Sequence, residues 1–218
     1  MDAPIKRIPG DVGNPATFPF PAICRTVPGA TLRRLIAERD RSLLAPFVEA
    51  GWELVRQGVR ALTTSCGFMI LFQEDLAREF PVPVFTSSLL QLPFIQATLR
   101  PRARIGILTA DAFNLTTEHL CRAGGDLDRI TVAGLENQPR FREAILEGSG
   151  RIDVPGVEAE VVEQAKRMLA ADPHIAAFLF ECANLPPYAA AVRAALGLPV
   201  YDAVTMIRHV HAAFSLKW

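Results

Sequence analysis

Ile175-Ala176-Ala177-Phe178-Leu179-Phe180-Glu181-Cys182-Ala183-Asn184 opens with six apolar residues in a row and ends in a cysteine and an asparagine. An apolar run without polar alternation reads as a strand covered on both faces, which is how parallel sheets are built. A helix is expected from Tyr188 to Leu196, and Pro199 to Tyr201 reads as the next strand. Upstream, Ile105 to Leu108 and Ile130 to Val132 read as strands, with helices at about Leu115 to Arg122, Phe141 to Leu146 and Val157 to Ala171. Strands alternating with helices predict an α/β chain with a parallel sheet and crossover helices.

The first half echoes this plan. A helix is expected from Leu43 to Gln57, a strand from Ala61 to Thr64, a helix from Met69 to Glu79, a strand from Val82 to Phe85 and a helix from Leu89 to Leu99. Leu62-Thr63-Thr64-Ser65-Cys66-Gly67, followed by Pro83-Val84, parallels Phe180-Glu181-Cys182-Ala183-Asn184, followed by Pro199-Val200. We therefore expect two similar lobes, 1–99 plus 203–218 and 100–202, joined at Arg100-Pro101-Arg102. Each lobe is a short, mainly parallel sheet flanked by helices, with a last helix from Val204 to Phe214 returning to the first lobe. Both cysteines then fall at carboxyl ends of strands, where open α/β sheets bind ligands.

Half of the 218 residues are apolar, and 23 Lys plus Arg balance 23 Asp plus Glu. A neutral balance supplies no electrostatic attraction for nucleic acid or an anionic membrane surface. No apolar run approaches the roughly 20 residues that span a bilayer. The opening residues 1–10 lack the apolar core of a signal peptide, so a cytoplasmic protein is expected. Cysteines at 24, 66, 121 and 182 form no CxxC pair, and His209 and His211 lie on different faces of a helix, so no metal is expected. The absence of a glycine-rich phosphate fingerprint leaves nicotinamide and pyridoxal phosphate unsupported; no cofactor is expected.

Three stretches carry a resemblance: Pro9-Gly10-Asp11-Val12-Gly13-Asn14-Pro15 with Thr17-Phe18-Pro19-Phe20-Pro21, then Thr63-Thr64-Ser65-Cys66-Gly67-Phe68, then Glu181-Cys182-Ala183-Asn184-Leu185-Pro186-Pro187-Tyr188. Together they resemble the aspartate/glutamate racemase superfamily, which includes hydantoin racemases, maleate isomerases and arylmalonate decarboxylases. The resemblance implies a two-lobe α/β fold with Cys66 and Cys182 facing each other across the inter-lobe cleft. It also implies a homodimer or higher homo-oligomer. Relatives carry an apolar strand ahead of the opening motif, whereas Met1 to Ile8 make a poor buried strand, and Ala183 stands where relatives have Thr. The chain also lacks the His that follows the second cysteine in glutamate racemases.

The implied chemistry is cofactor-independent racemisation or epimerisation at a carbon next to the carboxylate of an amino acid or other small acid. One thiolate removes the proton while the opposite thiol returns one. Maleate-type cis–trans isomerisation and non-catalytic binding of a small acid are the alternatives. Thiols placed just before helices are expected to have lowered pKa values. Ser65, Gly67, Ala183 and Asn184 offer backbone N–H groups to a substrate carboxylate. Thr64, Ser65 and Asn184 add side chains, Asp11 and Asn14 polar contacts at the first strand's edge, and Thr109 a hydroxyl facing the cleft. Glu181 either opposes ionisation of its neighbour Cys182 or points away, and the sequence decides neither.

Overall fold

The fold is built on the apolar runs. The computed structural model describes residues 1–214; positions 215–218, assigned above to the first lobe, lie outside the described residues. Among the described residues six strands form two parallel sheets. Strands β1 (Leu62–Thr63) and β2 (Val84–Phe85) pair in the first half. The second half holds β3 (Arg104–Thr109), β4 (Ile130–Gly134), β5 (Ile175–Phe180) and β6 (Val200–Tyr201), ordered β4-β3-β5-β6. The central strands β3 and β5 lie between neighbours, with apolar packing on both faces, hence the run Ile105–Leu108 in β3 and the wholly apolar β5. Ile105, Ile107, Ala177 and Leu179 join a core with Leu62, Ile70, Leu89 and Ile95 of the first half. The alternate residues Leu108, Phe178 and Phe180 pack with Phe141, Val157, Val161 and Ala165. The Phe178 ring lies over Gly106, its register partner on β3, where a Cβ would meet the ring at 2.7 Å.

The helices follow the sequence expectation with shifted starts. They are α1 (Leu44–Arg56), α2 (Gln73–Glu79), α3 (Leu92–Thr98), α4 (Thr117–Arg122), a single turn α5 (Pro139–Phe141), α6 (Val154–Ala171), α7 (Ala189–Leu196) and α8 (Ala203–Phe214). Tight 3₁₀ turns precede α2, α3 and α7, at Gly67–Phe72, Ser88–Gln91 and Pro186–Tyr188. Pro186 and Pro187 explain the last delay, because proline suits a helix start and supplies no N–H. Residues 1–8 form no strand, and the first sheet has two strands among the described residues. A groove of about 700 Å³ opens against that sheet, lined by Phe47, Leu54, Leu62, Phe80 and Val84, with Val210 of α8.

Two π-helical turns extend the internal echo beyond what the sequence suggested. Arg33–Ala37 and Arg142–Leu146 each close with an N–H reaching back five residues, from Glu38 to Arg33 at 3.0 Å and from Glu147 to Arg142 at 2.9 Å. In each, the first Arg also pairs with the closing Glu, Arg33 with Glu38 and Arg142 with Glu147. Each buries an isoleucine at its fourth position, Ile36 and Ile145. Of the stretch Phe141 to Leu146, expected as an ordinary helix, Phe141 closes α5 and Arg142–Leu146 form this wider turn. Such turns are rare and concentrate at functional sites.

Candidate functional site

Cys66 follows β1 by three residues and Cys182 follows β5 by two, so both thiols sit at carboxyl ends of strands. Each is only 8 % exposed. They line one small hollow of about 20 Å³ with Ser65, Gly67, Glu181, Ala183 and Asn184. Ile36 and Ile145, one from each π turn, complete its walls with Leu32, Phe68 and Ala110. The larger groove against the first sheet touches Thr64 and Ser65 but neither of these cysteines. The small cavity is the candidate site, because two thiols and a buried carboxyl converge there.

The electrostatics correct one expectation. Neither thiol is eased toward ionisation. Burial pushes Cys66 up to about 12, and the negative charge of Glu181 adds to the rise, against a weaker opposing pull from the Phe68 backbone N–H. Cys182 is raised well above the ordinary thiol range by the same two causes, with the Asn184 N–H opposing. The reason is geometric: each cysteine leads into a 3₁₀ turn or loop, and α2 and α7 begin seven residues after them, at Gln73 and Ala189. The helix dipole fades over such a distance while desolvation does not. The Cys182 thiol also donates to Asn184 Oδ1 at 3.7 Å, which favours the neutral form.

Glu181 is the residue whose orientation sequence reasoning left open. It is 1 % exposed and turned inward. Thr109 donates to its Oε2 at 2.7 Å, while Oε1 has no partner. Burial raises its carboxyl to about 7, against the Thr109 bond and with a further push from Asp111. Ser88 donates to the Phe180 carbonyl at 2.7 Å, pinning this loop to the first half. The signal in the sequence was its place directly before Cys182, which leaves the direction of the side chain open.

The other candidate residues divide. Ser65, Gly67, Ala183 and Asn184 share the cavity with the two cysteines. Thr109 is fully buried and reaches the site only through Glu181. Thr64 donates to the carbonyls of Thr86 (2.6 Å) and Cys66 (3.0 Å) and faces the groove instead. Asn14 caps the 3₁₀ turn Pro15–Thr17 by accepting from the Ala16 N–H at 2.9 Å, away from the thiols. Asp11 lies at no strand edge, since no strand forms there. It accepts from Arg7, from the Gly13 N–H at 2.6 Å and from Asn184 Nδ2 at 2.5 Å, tying the opening loop to the Cys182 loop. Asp11→Ala strands the buried Asn184 amide and Arg7, and is expected to lose about 3 kcal/mol in urea unfolding.

Two buried groups set opposite pH slopes on stability. Glu181, raised from 4.5 to about 7, contributes stability at low pH that is lost as pH rises between those values. His119 is fully buried with its ring edge on Phe68, and burial holds it down at about 4 from 6.5. Its contribution is present above pH 6.5 and lost as pH falls toward 4. Each amounts to about 3 kcal/mol, so between pH 4.5 and 6.5 they offset each other. Unfolding free energy of the wild type is expected to vary little in that window, and Glu181→Gln to reveal a loss toward acid. Identical profiles would contradict the assignment.

No protein-family model matches the chain. Among curated proteins it is 37% identical over 216 residues to dimethylsulfoniopropionate lyase 7 of Emiliania huxleyi, covering 94% of this chain and 62% of that protein. It is 33% identical over 215 residues to the dimethylsulfoniopropionate lyase of Durusdinium sp. clade D, covering 94% of this chain and 69% of that protein. The chain thus spans about two thirds of the length of these relatives. Among solved structures it resembles unliganded arylmalonate decarboxylase (TM-score 0.53, 14% identity, 84% of this chain and 80% of that one). It also resembles glutamate racemase from Bacillus anthracis (0.52, 14%, 88% and 70%) and allantoin racemase from Klebsiella pneumoniae (0.55, 18%, 78% and 67%). The fold is that of the aspartate/glutamate racemase superfamily, as the motifs implied, and these relatives and neighbours are enzymes. The expected reaction is not upheld: the relatives that match in sequence are lyases, which overturns racemisation. The chain belongs to the family of these dimethylsulfoniopropionate lyases.

Proposed function

We propose that this chain catalyses β-elimination from dimethylsulfoniopropionate, the substrate its relatives are named for. The observation that carries this reading is a cavity lined by two thiols in a chain matching those lyases over nearly its whole length. The substrate carries a dimethylsulfonium group on the carbon β to its carboxylate. A thiolate takes a proton from the α-carbon; the electron pair forms the α–β double bond; the C–S bond breaks. The products are acrylate and neutral dimethyl sulfide, and the proton stays on the enzyme thiol. Charge that builds on the carboxylate during proton removal is met by backbone N–H groups of Gly67 and Ala183, with Asn184 beside them. Burial of Cys66 and Cys182 makes whichever thiolate forms poorly solvated and a strong base.

A cavity of about 20 Å³ holds little more than one water. Substrate therefore enters when the walls part, with Ile36 and Ile145 moving from opposite sides. We assign these walls to two lobes, 1–99 plus 203–218 and 100–202. Among the described residues no helix is long and apolar enough to cross a membrane. The test is headspace chromatography of dimethyl sulfide from the purified chain incubated with dimethylsulfoniopropionate. Release at a rate proportional to enzyme, with acrylate in equal amount, is expected. No release from protein shown to be folded by circular dichroism would overturn the reading.

A further inference from the structure

The pseudo-two-fold echo breaks at one pair of positions. Ser65 precedes Cys66, while Glu181 precedes Cys182. One side of the cavity carries a neutral hydroxyl and the other a carboxyl with an unpartnered oxygen. That oxygen lies against Gly67, beside the first thiol, while its own chain neighbour is the second. The charged and titratable groups around it are few. Strand β3 contributes Thr109 and the loop after it Asp111; the opening loop contributes Arg7, already paired with Asp11; Met1 and Cys66 face the same hollow from the first half. Ser88 binds this loop's carbonyls rather than the carboxyl. Among these groups no cation is bonded to Glu181.

We propose that Glu181 is the charge gate of the two-thiol site: ionised, it holds Cys66 and Cys182 as neutral thiols, and a small cation against its free oxygen releases one thiol to ionise. Two negative charges side by side are costly in so small a desolvated space, so the carboxylate and a thiolate compete. A substrate that brings its own sulfonium neutralises the carboxylate as it binds, and the base forms only when there is something to deprotonate. Glu181 in this scheme touches the substrate's cation and sets the charge state of the thiols, while a thiol moves the proton. The cation's identity rests on the proposed function; the competition between carboxylate and thiols does not.

The test is a 13C NMR titration of cysteine Cβ in the full chain, with Cys24 and Cys121, both exposed, replaced by serine. In this background Glu181→Gln is expected to lower the midpoint of at least one buried thiol by one pH unit or more, a tenfold gain in thiolate at fixed pH. Midpoints that coincide, or move up, overturn the gate. A second measurement keeps Glu181 in place and adds trimethylsulfonium instead. It is expected to lower the same midpoint by a similar amount, with no response in Glu181→Gln; no response in the wild type overturns the cation's role. Dimethyl sulfide release is read separately. Release with coincident midpoints keeps the lyase and removes the gate, whereas shifted midpoints without release keep the gate and remove the lyase.

Discussion

Cys66→Ala and Cys182→Ala are expected to differ sharply: one lowers the rate of dimethyl sulfide release by roughly 10²–10⁴-fold, the other by less than tenfold. The asymmetry follows from the leaving group. Dimethyl sulfide departs as a neutral molecule from a cation and needs no proton, so elimination calls for one base and no acid. Inversion at carbon would need both, and would lose activity equally on either replacement. The cavity's own asymmetry agrees, since Glu181 flanks one thiol by sequence and Ser65 the other. The double replacement should be no worse than the more damaging single one, as for groups acting in one step. Initial rates of the three variants under saturating substrate decide the matter. Equal losses in both single variants would sink the one-base scheme.

Gly67→Ala should damage both stability and turnover. A Cβ at this position overlaps the Glu181 carboxyl and also the Glu181 backbone carbonyl. The carboxyl can swing aside, but the carbonyl sits directly after β5, where the Glu181 N–H donates to the Leu108 carbonyl at 2.8 Å and Ser88 donates to the preceding Phe180 carbonyl. Replacing glycine by alanine ordinarily gains about 0.4–1 kcal/mol from the unfolded chain. Overpacking against fixed backbone costs about 1–3 kcal/mol or more, so the clash wins. Relief requires the Cys66 and Cys182 loops to separate, and displacement of about 1 Å at a reacting group reduces rate on the order of 10²-fold. Urea unfolding and dimethyl sulfide release together check this. A variant as stable and active as the wild type would show that the loops pack less tightly than the geometry requires.

Much of this architecture is legible in the residues. The run Ile175 to Phe180 could hardly be anything but a covered strand, and it ends where expected. The cysteine loops announced themselves by repeating after strands. Three things were hidden for physical reasons. The inward turn of Glu181 depends on Thr109, 72 residues away, and on the space above Gly67, neither readable locally. The π turn Arg142–Leu146 looks helical because its apolar spacing is nearly that of an α-helix, and only the five-residue hydrogen bond tells them apart; the turn Arg33–Ala37 was assigned no element. The reaction was misread because the motifs describe a thiol beside a carboxylate-bearing carbon. Removing that carbon's proton is a step shared by inversion and elimination, and what happens next is decided by the substrate's β-substituent.

The paired π turns carry a consequence for how such a chain can diversify. A π turn holds about one residue more than an α-helical turn, so deleting a single residue from Arg33–Ala37 or Arg142–Leu146 lets it relax into ordinary helix. The side chain at the wall would then rotate by roughly a quarter turn, about the 100° separating neighbours on a helix. Ile36 or Ile145 would leave the cavity and a different residue would take its place. The width of the hollow is thus adjustable by one codon on either side, independently and without touching the cysteine loops. Changes of length at either turn could alter the molecules admitted, while the groups at the cysteine loops stayed as they were.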